Sequence, residues 1–213
     1  MERKWKITLG ISISLIIVIG GFAGGLLLNN YLRNNGPPNS NNDPPIFAFP
    51  VANTEVLAAI YGYLWNETHQ IHDGIDFMIN GTANIIAPCN MTVNDKGLFY
   101  NEIGEHWQAG LSFDINDDYE LFIAFESFAQ NETYGNLQLD AIIVDIGQEV
   151  TKGELLGQLF LHHNGAHIHF MLHKNSERVC PYLYFGTEGK VIFDTLWSQI
   201  GSSSNPCNGS YSF

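Results

Sequence analysis

Short apolar runs, separated by Gly, Asn and Asp, dominate the chain after residue 80. These runs are rich in β-branched and aromatic residues, as strands are, and they cover residues 83–88, 91–93, 111–115, 121–125, 141–144, 155–161 and 166–172. The intervals between them are too short for crossover helices throughout, which favours antiparallel pairing. The pattern therefore predicts a mostly β domain.

Helical periodicity is confined to two stretches of this domain. Residues 54–60 follow Asn53, a residue type that caps helices, and a weaker pattern covers residues 193–200. We expect one short helix at each place.

The first part of the chain has a different pattern. Residues 7–28 are uncharged and mostly apolar, which is about the length that spans a bilayer. Arg3, Lys4 and Lys6 precede this run, so the positive-inside rule leaves the N-terminus in the cytosol and exports the rest. A cleaved signal peptide is the alternative, but the run is longer than a usual signal core, and no clear small-x-small site follows it.

This pattern predicts three parts. Residues 1–28 are a cytosolic N-terminus and a single transmembrane anchor, and residues 29–45, rich in Asn and Pro, are a flexible tether. Residues 46–213 form one extracytoplasmic domain, long enough to bury a core.

The net charge bears on the kind of partner that the chain binds. The chain has a formal net charge of −13, which argues against nucleic acid as a partner, because phosphate contacts need clustered Lys and Arg.

The cysteines bear on covalent structure. Export places Cys89, Cys180 and Cys207 in a compartment where a disulfide persists. We favour Cys180 with Cys207, which would fix the C-terminal tail to the domain and leave one thiol over.

Two histidine clusters carry the candidate chemistry. His72 and Asp76 are four residues apart, and His167 and His169 are two apart. On strands both pairs would point to one face, because side chains alternate with period two. Two imidazoles and a carboxylate, with a position left for water, are typical of a catalytic zinc site.

The order of these motifs resembles that of the lysostaphin-type, or LytM-like, zinc metalloendopeptidases. Residues 72–76 (HDGID) match their His-x-Gly-x-Asp signature, and residues 167–169 (HIH) match their His-x-His signature. A glycine-rich segment, residues 147–157, lies between them, and the resemblance spans about residues 71–184. The segment itself supports the fold, since Gly147 and Gly153 would shape a turn.

The resemblance implies a curved antiparallel sheet of the duplicated hybrid motif type that carries one zinc ion. By likeness to the family, His72, Asp76 and His169 would hold the metal, and His167 would stay off it and handle protons. The implied substrates are peptides of the cell wall, such as the cross-links of peptidoglycan, or of the cell surface.

One family element is missing. Such enzymes carry a further catalytic histidine on a central strand, and Phe125 stands at that position here. If the alignment with the family pattern is shifted by one residue, Glu126 occupies that position instead. Glu126 is then either a substitute general base or a solvent-facing strand residue. His162 and His163 are other replacements. His69, His106 and His173 are interpreted as ordinary surface residues.

The sequence therefore predicts a membrane-anchored zinc endopeptidase, with two alternatives. One is a zinc-binding or peptide-binding scaffold that keeps the fold without turnover. The other is a biotinyl-like or lipoyl-like carrier, which would need an exposed, modifiable Lys152. Four aromatic residues either line a substrate groove or belong to the core: Tyr182, Tyr184, Phe185 and Trp197.

Overall fold

The computed structural model describes residues 42–65, 70–102, 104–162, 165–201 and 205–207. Twelve strands are assigned within these ranges: β1 (Leu57–Tyr61), β2 (Leu64–Trp65), β3 (Gln70–His72), β4 (Ile75–Ile79), β5 (Ala83–Ile86), β6 (Met91–Asn101), β7 (His106–Asn116), β8 (Tyr119–Ala129), β9 (Glu149–Val150), β10 (Leu155–Leu159), β11 (Ala166–Lys174) and β12 (Glu177–Val179). The α-helices in the described ranges are α1 (Glu132–Asp140) and α2 (Thr187–Ile200).

The main sheet has the order β1-β4-β11-β8-β7-β6-β9, with β12 paired to β11. Two smaller sheets pair β10 with β5 and β2 with β3. Every strand pair recorded among the described residues is antiparallel. The prediction of a mostly β, antiparallel domain is confirmed.

The two faces of the main sheet differ in chemistry. On β11, Ile168, Phe170 and Leu172 are fully buried, while His167, His169 and His173 lie on the opposite face. The buried face packs an aromatic cluster in which Phe193 of α2 stacks on Trp197 and lies tilted against Phe185, with ring centroids 5.6 and 5.3 Å away. The opposite face carries the histidines, and we call it the polar face.

The four aromatic residues considered for a groove pack with the core. Phe185 is buried and stacks on Phe170, and Tyr182 lies 5.0 Å from the ring centroid of Phe193. Tyr184 and Trp197 also pack against the core cluster. The structure favours the core interpretation.

Three local predictions are wrong. Residues 54–60 are not a helix: a 3₁₀ turn at Thr54–Val56 leads into β1, because pairing with β4 overrides the local pattern. Residues 141–144 are not a strand, and only Ile142 forms a bridge, to Gly157. Helix α1 was missed, although Asn131 caps it by accepting a hydrogen bond from the Tyr134 N–H.

The covalent and turn features agree with the sequence. Cys180 and Cys207 form the predicted disulfide, and Cys89 is a free, buried cysteine. Gly147 and Gly153 have φ angles of +82° and +87°, the left-handed region that favours glycine, and they form turns as predicted.

The predicted anchor, residues 7–28, and most of the tether, residues 29–45, lie outside the described residues. Within the part of the chain that is described, no helix has the length and apolar character to cross a bilayer. The described residues begin at residue 42, and Phe47 forms a bridge with Phe185.

Candidate metal centre

Three of the predicted site residues converge on the polar face of the main sheet. His72 Nε2 lies 3.0 Å from Asp76 Oδ2, and His169 Nδ1 lies 2.8 Å from Asp76 Oδ1. One donor atom from each of the three residues lies within 4.8 Å of the others. This spacing suits three ligands of one small cation.

Strand pairing brings two of these residues together. Asp76 on β4 and His169 on β11 are direct register partners. His72 ends β3 in a separate sheet, so the prediction that one continuous strand carries His72 and Asp76 is wrong. The chain instead bends at Asp73 and Gly74, and the bend returns His72 to the same site.

Gly74 lets the bend pass under a metal-ligand candidate. A Cβ atom at this position would lie 2.7 Å from His169 Cε1 and 2.8 Å from the Phe170 carbonyl oxygen. No ordinary side chain fits that space, so the glycine of the His-x-Gly-x-Asp motif has a packing role here.

Outer hydrogen bonds set the imidazole orientations. His72 Nδ1 lies 2.7 Å from the Gly62 carbonyl oxygen, which can only accept, so Nδ1–H donates and Nε2 is left to face Asp76. His169 Nε2 lies 3.0 Å from Asp73 Oδ1, which leaves Nδ1 for the site. Such carboxylate or carbonyl partners are typical of metal-binding histidines.

The charges of the cluster centre on one carboxylate. Burial alone would raise the pKa of Asp76, but the charge of His167 and a hydrogen bond from His169 hold it well below its usual range. Burial opposes protonation of His169, yet Asp73 and Asp76 raise its pKa to about 10. Asp76 is therefore an anionic ligand flanked by imidazoles.

One buried nitrogen atom without a hydrogen-bond partner also bears on whether the site suits a metal ion. Nε2 of His72 is buried and has no well-aligned hydrogen bond, although Asp76 Oδ2 is only 3.0 Å away. Two imidazoles and one carboxylate are a donor set that zinc prefers. The residues present fit a zinc ion.

A second polar group continues from the metal-ligand candidates across the sheet. His167 Nε2 lies 3.6 Å from Asp76 Oδ1 and 3.5 Å from Glu126 Oε1. Glu126 Oε2 lies 2.8 Å from Nε2 of His106, whose Nδ1 lies 3.0 Å from the Gly104 carbonyl oxygen. Glu126 therefore bridges two histidines from different strands.

The strand register determines which of Phe125 and Glu126 faces the candidate site. Phe125 is fully buried in the core, whereas Glu126 is the direct partner of His167 and shares its face of the sheet. The alignment shifted by one residue, which places Glu126 at this position, agrees with the register of the strands. The interpretation of Glu126 as solvent-facing is wrong, because only 7% of the residue is exposed.

His106 is the residue that the sequence interpretation missed. It was assigned to the surface, but it is 4% exposed, because β7 begins at His106 and places it on the polar face beside Glu126. His173 is half-buried, and His162 packs against Tyr134, with ring centroids 4.6 Å apart. His69 and His163 lie outside the described residues.

The contact between Glu126 and His106 favours the charged form of each side chain. Burial would raise the pKa of Glu126, but the hydrogen bonds from His106 and His167 lower it to about 2. The same contact with Glu126 raises the pKa of His106, against a smaller effect of burial. Glu126 is therefore a poor proton acceptor and a good partner for a cationic imidazole.

Solved structures share this architecture. A chain of the SpoIIQ–SpoIIIAH pore-forming complex is 13% identical and matches with a TM-score of 0.50, over 71% of this chain and 98% of that chain. The chain shares the fold of that structure. The resemblance to the lysostaphin-type fold that was drawn from the motifs is confirmed at the level of the fold.

Other matches to the lysostaphin-type fold have lower scores. The catalytic domain of lysostaphin from Staphylococcus simulans is 18% identical, with a TM-score of 0.39 over 59% of this chain and 87% of that chain. Csd3 from Helicobacter pylori is 19% identical, with a TM-score of 0.47 over 71% of this chain. The present chain spans 38% of the length of that Csd3 chain.

These identities concern the fold alone. No protein-family model matches the chain, and no curated protein matches it. The chemistry of the site therefore rests on the geometry of its own residues.

Proposed function

We propose that this chain is a zinc-dependent endopeptidase that hydrolyses peptide bonds in cell-wall or cell-surface peptides. The observation that carries the proposal is the convergence of donor atoms from His72, Asp76 and His169 within 4.8 Å. His167 and Glu126 lie directly beside this cluster. A ligand cluster next to a buried imidazole and carboxylate is the arrangement that metal-assisted hydrolysis requires.

His72, Asp76 and His169 would hold the ion. A zinc ion held there would supply a Lewis acid for the scissile carbonyl and lower the pKa of a coordinated water. The protein's part is to orient the ligands, and the carbonyl of Gly62 and the carboxylate of Asp73 do this through the outer nitrogen atoms of the two imidazoles.

We assign proton handling to His167 and orientation to Glu126. His167 Nε2 points between Asp76 and Glu126, so it is placed to accept a proton and later to return it to the leaving amine. With a pKa of about 2, Glu126 remains a carboxylate and stabilises the imidazolium that His167 becomes.

We also propose that the chain is anchored in the membrane through residues 7–28 and that residues 46–213 act outside the cytoplasm. The Cys180–Cys207 disulfide supports this assignment, because such bonds persist mainly in oxidising compartments. A peptide or peptidoglycan-like substrate would then be within reach of the tethered domain.

The alternative function is a metal-binding or peptide-binding scaffold without turnover. One observation favours it: in the described part of β8, the position beside His167 carries Glu126 and not an imidazole. With a pKa lowered to about 2, the Glu126 carboxylate is a weaker proton acceptor than an imidazole near neutral pH. Under this alternative the site would bind zinc and peptides but release no product.

The deciding experiment measures zinc content and hydrolysis on the purified full chain. Cross-linked peptidoglycan and a peptide library serve as substrates, and the His72→Ala variant is the control. One zinc per chain with cleavage that a chelator stops and added zinc restores supports the peptidase. Zinc without cleavage supports the scaffold, and absence of zinc contradicts both.

A further inference from the structure

We infer that the Cys180–Cys207 disulfide braces the metal-ligand candidates, so that opening it weakens metal binding at the site. This inference rests on the proposed function, because it takes His72, Asp76 and His169 as the ligands. Two separate chains of contact, one to each histidine, lead from the disulfide to the site.

The first chain of contacts reaches His72 from the C-terminal tail. The Tyr63 N–H donates to the Pro206 carbonyl oxygen at 2.8 Å. The neighbouring Gly62 packs so closely there that a Cβ atom would lie 2.6 Å from that same oxygen. Because Gly62 accepts the Nδ1–H of His72, the position of Pro206 determines the position of the carbonyl that orients His72.

The second chain of contacts reaches His169 from β12. Arg178 Nη1 lies 2.9 Å from Asp73 Oδ2, and Asp73 Oδ1 lies 3.0 Å from His169 Nε2. Arg178 is the middle residue of the short β12 strand and precedes Cys180 by two residues. The disulfide therefore fixes the segment that carries the cation holding Asp73 in place.

Tyr63 joins the two chains of contact. Its backbone N–H binds Pro206, and its hydroxyl group donates to the Arg178 carbonyl oxygen at 3.2 Å. Cys180 and Cys207 connect the same two segments covalently, across a sequence separation of 27 residues. One covalent bond and one tyrosine thus hold both outer partners of the ligand histidines.

The expected size of the effect follows from outer-shell energetics. Removing the hydrogen-bond partner of a metal-binding histidine typically costs about 10–100-fold in metal affinity. Opening the disulfide removes the covalent anchor of the segment at Pro206. We expect zinc affinity to fall by about 10–100-fold, because the supports of both histidines loosen together.

The test measures zinc affinity of the full chain by competition with a chromophoric chelator, before and after reduction with a phosphine. The Cys180→Ser/Cys207→Ser double variant gives the same measurement without reductant, and Cys89→Ser is the matched control. The d–d absorption spectrum of the Co²⁺-loaded protein reports the ligand geometry independently of turnover. The expected results are weaker zinc binding and a changed spectrum in the reduced and double-variant proteins only.

Arg178 provides a second variant that leaves the disulfide intact. Arg178→Ala should weaken zinc binding by about tenfold, and Arg178→Lys should retain affinity within a few-fold, because it keeps the cation beside Asp73. If the double cysteine variant fails to fold, these two variants decide the question. Unchanged zinc affinity in Arg178→Ala then overturns the inference.

The failures of the inference and of the proposed function are distinguishable. A wild-type chain that binds no zinc overturns the proposed function and the inference together. A folded double variant that binds zinc as tightly as the wild type overturns the inference alone. A loss of thermal stability without a change in zinc affinity would likewise show a disulfide that stabilises the fold only.

Discussion

The two halves of the candidate site differ in how the chain specifies them. The ligand half consists of His72, Asp76 and His169, which belong to two short sequence motifs. The other half, which we call the proton half, consists of His106, Glu126 and His167, which come from β7, β8 and β11. Motifs specify the first half and His167, whereas strand register brings Glu126 and His106 to the site.

The halves also differ in how their carboxylates are neutralised. Asp76 is flanked by three imidazoles, and His169, whose pKa is raised to about 10, must release a proton before a metal can bind. Glu126 has an imidazole partner, His106, that is part of the protein itself. The cationic partner of the carboxylate would thus be a bound metal in one half, and it is a histidine in the other.

The largest expected effect is in the ligand half. Asp76→Ala should abolish zinc retention, because Asp76 contacts both ligand histidines and supplies the negative charge of the site. Zinc content by elemental analysis, with circular dichroism to establish folding, gives the result. Asp114→Ala, at an exposed position on β7, is the matched control and should keep zinc. Full zinc occupancy in folded Asp76→Ala would remove this residue from the ligand set.

His167→Ala separates the two halves. We expect zinc to be retained and kcat to fall by about 10²–10⁴-fold, the usual contribution of a positioned general acid or base. Steady-state kinetics on zinc-loaded protein, with zinc content measured on the same samples, tests this. Loss of metal in His167→Ala would instead show that His167 and His169 have exchanged roles.

The sequence predicted the residues that lie in its motifs better than those that strand pairing brings to the site. Alternation on β11 placed His167 and His169 on one face, and export suggested the Cys180–Cys207 pair, both as observed. The role of His106 was not predictable in the same way, because the predicted strand began at residue 111 and β7 begins five residues earlier. Only the pairing of β7 with β8 brings His106 to Glu126.

The errors in secondary structure have local causes. Helix α1 contains Gly135 at its centre and lacks a clear apolar stripe, so the helical period was weak. Residues 57–61 have a helix-like pattern, but the open edge of β4 recruits them as a strand. In both places the tertiary contacts decide what the local pattern leaves open.

A smaller effect is expected from His106→Gln. Glutamine retains a hydrogen-bond donor but no charge, so Glu126 loses its cationic partner and orients His167 less well. We expect kcat to fall by about tenfold, with KM and zinc content unchanged. His173→Gln, at a half-buried histidine on β11, is the control. A change in zinc content without a change in kcat would place His106 in the ligand half.

The smallest effect is a pH-dependent contribution of the Glu126–His106 pair to stability. The pKa of Glu126 is lowered from its ordinary value of 4.5 to about 2, so its contribution is present above pH 4.5 and is lost as the pH falls toward 2. The pKa of His106 is raised from its ordinary value of 6.5, so its contribution is present below pH 6.5 and is lost as the pH rises through the raised value.

Both contributions are complete only between these two ordinary values. The free energy of unfolding of the metal-free wild type should therefore exceed that of the Glu126→Gln/His106→Gln double variant by the most near pH 5.5, by about 1–3 kcal/mol. Urea unfolding at pH 3, 5.5 and 9 measures the difference. A difference that rises or falls steadily across this range would contradict a charged pair of Glu126 and His106.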